Sequence, residues 1–309
     1  MIEKITKFFE KRPVRAIFAI FALIFLLTAV FLCRKPVVFV SDHPFNLLYG
    51  EKRAIIKQKV LSLRLFRQVK TINIAEGAGP DLAAQAAASL SRRPLAVFFP
   101  YRYQEGARRY LKDRPGSVVV ILGGRVKPPD GGSDPEPLWF CTDIKTDVYR
   151  AGAFAGIIAR LEEGQREGNT PRIALYQDNL TNVEIAAFSL GLKEFWPGNQ
   201  LLSPNLEEKD LACAVLLKEI RFNQEDPPRR LILFTWMDPV LAPGTTFAVF
   251  DDSPWAQIGP AINLLKKGPG LGLIPSEITV IKRDKALYKE YIAIDNVKSL
   301  KYKGENTDN

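Results

Sequence analysis

From residue 37 onward, short apolar, β-branched runs alternate with longer stretches of helical period, and this alternation constrains the fold more than any other feature. The candidate strands are 37–40, 69–75, 95–100, 117–122, 138–142, 172–177, 230–236, 246–250 and 277–281. The candidate helices are 50–68, 80–91, 101–112, 147–163, 182–195, 209–222 and 254–267. Alternation of this kind predicts a mostly parallel sheet covered on both faces, because each crossover helix returns the chain to the starting edge. Nine candidate strands with a break near residue 145 predict two such sheets, an α/β chain of two lobes. The first lobe is expected over 37–145 plus 252–285 and the second over 146–251. A C-terminal helix and polar tail are expected over 286–309, and the Pro/Gly-rich stretches 126–137 and 225–229 read as exposed loops.

Ahead of this body stands AIFAIFALIFLLTAVFLC, residues 16–33, eighteen positions without a charge. At 1.5 Å per residue such a helix nearly spans a hydrocarbon core of ~30 Å. Lys4, Lys7, Lys11, Arg12 and Arg15 precede it, while only Arg34 and Lys35 follow closely. That bias predicts a single-pass transmembrane anchor in the inner (cytoplasmic) membrane, with residues 1–15 in the cytoplasm and the body on the extracytoplasmic side. A cleaved signal peptide is one alternative, although no small-x-small cleavage site precedes Arg34. Lipidation at Cys33 is another, with Leu32 standing where a small residue belongs.

The whole chain carries a net charge of +9, of which residues 1–35 hold +5, leaving +4 for the body. So mild a surplus gives no reason to expect nucleic acid as a partner. Three cysteines are too few for a disulfide scaffold; Cys141 and Cys213 read as buried free thiols, with a bond between them as the alternative. A single histidine, His43, rules out a metal site built on two His ligands. There is no Walker A pattern, HExxH, GxSxG or CxxC. Gly77-Ala78-Gly79 lacks the third glycine of a dinucleotide loop, Leu82 standing in its place. Asp251-Asp252 alone is weak evidence for a cation. No catalytic constellation, cofactor site or metal site is expected; a binding protein fits better than an enzyme.

In open α/β sheets, ligands bind beyond the carboxyl ends of the strands. Reading those ends gives the candidate ligand-binding residues Asp42, Phe45, Asn46, Tyr101, Asp178, Trp236 and Asp251. The aromatics suit stacking on a planar ring, and the carboxylates suit hydroxyl or ring N–H donors. The competing explanation is that Asp and Asn at such positions cap helices, and that the aromatics pack in the core.

Particular stretches carry a resemblance. DVYRAGAFAG at 147–156 resembles the helix that opens the second lobe in the basic membrane lipoproteins, the nucleoside-binding branch of the type I periplasmic substrate-binding proteins. The strand at 172–176 and VEIAAFSLGLKEF at 183–195 are similar to that family's next strand and helix, and Phe45-Asn46 to a pair after its first strand. Residues 257–267 and 274–283 look like the closing helix and strand of the wider superfamily. The resemblance implies a small planar or hydroxylated ligand, nucleoside-like, held between two lobes and passed to an ABC-type permease. The chain departs from the pattern in two places. Gln177-Asp178 replaces the family's Gly-Gly, and residues 237–245, with two prolines, are too short for the usual helix. A trimmed second lobe, with Asp251 at the hinge, is therefore expected. An envelope scaffold or sensor that keeps the fold without a transport ligand stays open, as does an enzyme using His43 and nearby carboxylates.

Overall fold

The computed structural model describes residues 13–42, 51–75, 77–90, 93–123, 136–165, 170–197, 201–202, 211–217, 228–234, 246–266, 272–281 and 287–297. In chain order the elements are α1 (Pro13–Cys33), β1 (Val37–Asp42), α2 (Glu51–Leu65), β2 (Val69–Ile74), α3 (Pro80–Ala88), β3 (Ala96–Pro100), α4 (Gln104–Asp113), β4 (Val119–Leu122) and β5 (Leu138–Thr142). Then follow α5 (Ile144–Gln165), β6 (Ile173–Tyr176), α6 (Asn182–Phe195), β7 (Leu201–Leu202), β8 (Cys213–Leu216), β9 (Leu231–Phe234), β10 (Thr246–Asp251), α7 (Pro254–Leu265), β11 (Gly272–Ile274), β12 (Glu277–Val280) and α8 (Tyr288–Asp295). They build two six-stranded sheets, ordered β11-β5-β4-β3-β1-β2 and β12-β10-β9-β8-β6-β7. By compactness the chain forms two units, one chiefly of residues up to Val120 and one chiefly of Leu138–Asn309.

The central strands are buried along their whole length, which is why they read as unbroken apolar runs rather than alternations. AVFF of β3, VVIL of β4, IALY of β6 and LILF of β9 show no exposed position. β1 pairs parallel with both β2 and β3, and β6, β8, β9 and β10 continue in parallel through the second sheet.

Two expectations fail here, for different reasons. The expected helix 209–222 contains β8, whose flanking stretch Leu211–Leu217 is wholly buried in the second sheet. A run that is apolar on both faces carries no period, so LACAVLL cannot distinguish a helix from a central strand. β12, expected with the first lobe, instead pairs antiparallel with β10 in the second sheet. Only β11, unanticipated because it is three residues long, returns the chain to the first sheet beside β5. The expected absence of a helix over 237–245 lies outside the described residues.

α5 and α6 make the tightest helix pair, and glycine makes it tight. A Cβ at Gly191 would lie under 3.0 Å from the Tyr149 carbonyl oxygen, and one at Gly152 would lie equally close to the Phe188 carbonyl oxygen. At Gly156 a Cβ would meet the Leu192 carbonyl oxygen at 2.7 Å. The backbones of the two helices therefore touch, and the glycines of AGAFAG are explained by that approach. The Tyr149 hydroxyl donates to the Glu194 carboxylate, and Trp196 Nε1 donates to Glu163 at 2.7 Å, fastening the same pair. α6 starts at a capping box: Thr181 accepts from the Glu184 N–H while Glu184 accepts from the Thr181 N–H, worth about 1 kcal/mol. Beneath α5, Phe154 packs against Phe247, Phe250 and Tyr291 with ring centroids 5.9–6.2 Å apart.

Cys141 and Cys213 are buried free thiols, while Cys33 is exposed. Burial raises the thiol pKa of both inner cysteines, so neither supplies thiolate at neutral pH. A maleimide is expected to label only Cys33 in the folded protein and all three cysteines after denaturation; mass spectrometry of the adducts checks it. Labelling of Cys213 at the rate of Cys33 without denaturant would contradict this burial.

The side chains of α1 are described from Ile17 onward, and among the described residues no helix is long and apolar enough to cross a membrane. Those side chains are nevertheless exposed and apolar, with Phe18 at 74%, Phe21 at 67% and Phe25 at 76%.

Candidate functional site

Parallel pairing brings strand ends to one edge, so each sheet presents its own row of post-strand residues. In the first unit, β1 ends at Asp42, whose side chain lies outside the described residues, as do Phe45 and Asn46 entirely. Tyr101 follows β3 directly, opens a single 3₁₀ turn, and is 40% exposed. In the second unit, Asp178 is exposed two positions after β6, and Asp251 is buried at the end of β10. Trp236 lies outside the described residues.

Asp178 and Asp251 do not converge. In the second sheet β6 and β10 are separated by β8 and β9, which places their ends about 14 Å apart at the usual strand spacing. One small polar group cannot reach both. Asp251 is also engaged locally: its Oδ1 accepts the Ser253 N–H at 3.0 Å, and Ser253 then caps α7 by accepting the Ala256 N–H at 3.4 Å. This matches a turn-forming role more closely than a ligand-gripping one. The Gln177-Asp178 loop is likewise built from side chains, with Gln177 Oε1 accepting the Leu180 N–H at 2.8 Å.

A denser polar cluster lies where the chain passes between its sheets, and the sequence reading had not marked it. The chain leaves the first sheet after β5 through α5, returns after β10 through α7, and leaves again between β11 and β12. Hydrogen bonds join all three passages. Asp143, after β5, caps α5 through the Thr146 N–H at 3.0 Å and takes the Thr146 hydroxyl at 2.7 Å. Gln257 of α7 donates to the Thr142 hydroxyl at 2.9 Å. Asp147 accepts the Ser276 N–H at 2.9 and 3.1 Å, and its Oδ2 accepts the Ser276 hydroxyl.

Arg150, fully buried, completes the cluster. Its guanidinium donates to Asp147 at 3.1 Å, to the Ser276 carbonyl at 2.9 Å and to Asp295 of α8 at 3.0 Å. It also lies 5.7 Å from the centroid of the Phe250 ring. Burial lowers the Arg150 pKa, while Asp147 and Asp295 hold it up, so the guanidinium stays charged. Burial pushes the Asp147 carboxyl up to about 7, against the opposing pull of Ser276 and Arg150. The sequence signal was present: an acid and an arginine three positions apart inside the otherwise apolar DVYRAGAFAG helix.

A pH dependence follows from the raised carboxyl. Between about pH 4 and 7 folded Asp147 holds a proton that the unfolded chain has released, so its stabilising contribution is present at acid pH and lost as pH rises through 7. The urea midpoint is expected to fall between pH 5 and pH 8, and to fall less in Asp147→Asn. Equal slopes in the two proteins would show that Asp147 does not titrate in this window.

Chemically, this cluster binds its own backbone. Its charges face one another and the linker at Ser276. Among the described residues no group of three or more His, Cys, Asp or Glu side chains is placed to hold a metal ion.

No family model matches the chain, and no curated protein matches it. Solved structures do. An ABC transporter system solute-binding protein from Conexibacter woesei DSM 14684 is 14% identical, with 85% of this chain and 96% of that one covered and a TM-score of 0.54. A transcriptional activator of the comK gene from Bacillus halodurans is 12% identical over 85% and 97% of the chains, at a TM-score of 0.49. A periplasmic ribose ABC transporter protein, also from Conexibacter woesei DSM 14684, is 12% identical over 85% and 96%, at 0.43. The first of these shows the fold: the α/β arrangement of parallel sheets is shared with that solute-binding protein.

Proposed function

We propose that the protein is a membrane-anchored, extracytoplasmic solute-binding protein rather than an enzyme, serving an ABC-type importer. The observation that carries this reading is the pair of parallel sheets joined by three chain passages, a fold shared with the Conexibacter woesei solute-binding protein. The ligand class is a small planar or hydroxylated solute, nucleoside-like as the sequence resemblance implies. Its candidate contacts are Asp42, Phe45, Asn46, Tyr101, Asp178 and Trp236, with Asp251 reassigned to supporting the turn into α7. Tyr101 and Asp178 are the two whose described side chains are solvent-accessible beyond a strand end, on different units.

Anchoring is part of the proposal. α1 exposes Phe18, Phe21 and Phe25 together with Ile17, Leu23 and Ile24, covering more than one side of the helix. A helix apolar all round is stable when something apolar surrounds it. The basic residues before it favour a body on the extracytoplasmic side.

Ligand-induced stabilisation tests the reading. A ring stack with charge-assisted hydrogen bonds should reach micromolar affinity, about 8 kcal/mol. A solute at a hundred times its Kd then stabilises the protein by about 2.7 kcal/mol. Thermal unfolding of the detergent-purified chain against nucleosides, bases and sugars is expected to show such a shift, and Asp178→Ala is expected to remove much of it. No shift with any solute, together with no small molecule released on denaturation, would favour the envelope scaffold or sensor instead.

A further inference from the structure

α2 carries its apolar residues on the wrong side for a helix that only covers a sheet. Its inner face is settled by contacts: Leu61 is buried, Gln58 donates to the Val69 carbonyl at 2.8 Å, and Ser62 accepts the Val69 N–H at 3.1 Å. On the opposite side Ile55, Ile56, Val60 and Leu63 are 50%, 60%, 58% and 74% exposed. At the α-helical advance these four fall within an arc of about 140°. The exposed Lys59 lies within that arc, and the exposed Arg64 falls about 40° beyond its edge.

The charge around this face is one-sided. Residues 52–75 contain seven Lys and Arg and no Asp or Glu, whereas the whole body after residue 35 is only +4. These seven charges on and beside one helix exceed the body's whole surplus of +4, so the remainder of the body is net negative.

The same helix ends where α1 ends. Phe31 of α1 meets Phe66 edge-on, with ring centroids 5.8 Å apart. Arg34 Nη1 reaches the Phe66 carbonyl at 3.5 Å, Arg67 Nη1 donates to the Lys35 carbonyl at 3.1 Å, and the Val37 N–H donates to the Gln68 carbonyl at 2.9 Å. Arg34, Lys35 and Pro36 alone separate α1 from β1, a reach of about 10 Å even when extended. A bilayer holding α1 would therefore lie next to the C-terminal end of α2.

We propose that α2 docks on an anionic lipid bilayer, with Ile55, Ile56, Val60 and Leu63 entering the interface and Lys59 and Arg64 meeting lipid phosphates. This rests on the anchor reading given above and goes beyond it: α1 tethers the protein, and α2 fixes the orientation of its first unit against the membrane.

Depth-dependent quenching tests it on the full chain. The probe is an environment-sensitive fluorophore on Leu63→Cys in a Cys33→Ser background, the other two cysteines being buried. The protein is reconstituted in phosphatidylcholine vesicles with and without phosphatidylglycerol, using lipids that carry a nitroxide near the headgroup. Phe25→Cys reports insertion of α1, and Val183→Cys on α6 is the reference for a side chain exposed to water. The expected result is strong quenching at 63 with phosphatidylglycerol and little at 183. Each of Lys59→Gln and Arg64→Gln should lower the docked-to-free ratio about fivefold, and the pair roughly 25-fold.

If 25 is quenched by a nitroxide deep in the acyl chains while 63 behaves like 183, the docking is overturned and the anchor stands. If neither 25 nor 63 is quenched, both readings fall. Quenching at 63 that ignores phosphatidylglycerol and both substitutions overturns the lipid-phosphate contact. A blue-shifted but unquenched probe at 63 means that a second copy or a permease covers the face, which also overturns it.

Discussion

Gly191→Ala is expected to destabilise the protein by about 3 kcal/mol, at the upper end for a single added methyl group. The reason is what the methyl would strike. At Gly191 it meets the Tyr149 carbonyl oxygen and, at 3.0 Å, the Ala153 nitrogen; both are backbone atoms of α5 and cannot rotate away. The helices would have to separate, loosening the contacts of Phe188 and Leu192 with α5 as well. Gly164→Ala, near the end of the same α5, supplies the contrast, because a Cβ there meets nothing within 4 Å. That substitution should stabilise the protein by about 0.5–1 kcal/mol through helix propensity and reduced unfolded-chain entropy. Urea unfolding of both variants decides the matter. If Gly191→Ala shifts stability by less than Gly164→Ala does, backbone contact between α5 and α6 is not what these glycines serve.

The second large effect is expected at the Arg150 cluster. Among the described residues Asp147→Ala removes the one fully buried counter-charge of a fully buried guanidinium, while the remaining ion-pair partner, Asp295, has a side chain 52% exposed. Breaking a buried pair from one side costs about 3–5 kcal/mol, because the surviving charge stays desolvated. Asp295→Ala, by contrast, removes a half-solvated partner and should cost about 1 kcal/mol or less. The double variant Asp147→Leu/Arg150→Met removes both buried charges, and should be markedly more stable than Asp147→Ala. Denaturation at pH 8, where Asp147 is mostly ionised, gives the comparison. Asp147→Ala costing no more than Asp295→Ala would mean that the pair is not coupled as its geometry implies.

Sheet-forming segments were legible where turn residues bounded them. β1, β3, β5, β6 and β9 each appear as a short apolar run at the expected place. β8 was not legible, because burial on both faces erases the period that separates strand from helix. β11 and β12 are short, and their partners lie in different sheets; only long-range pairing decides which strand joins which. The candidate site divides along the same line. Asp251 could be placed at a strand end from the sequence, but its service to Ser253 depends on the local fold of the turn. Asp147 and Arg150 were visible as charges within an apolar helix. Their partner Ser276 is more than a hundred positions away, a separation that sequence spacing cannot bridge.

The placement of β11 also sets a timetable. β5 has β4 on one side, but its other edge is covered only by β11, which begins 130 residues after Thr142. At ordinary synthesis rates that interval is on the order of ten seconds. Throughout it, LWFCT offers an unpaired row of backbone donors and acceptors with largely apolar side chains, the kind of edge that recruits foreign strands. A nascent chain of this protein therefore carries an adhesive edge in the middle of its sequence, and sheds that hazard only when its last tenth or so emerges.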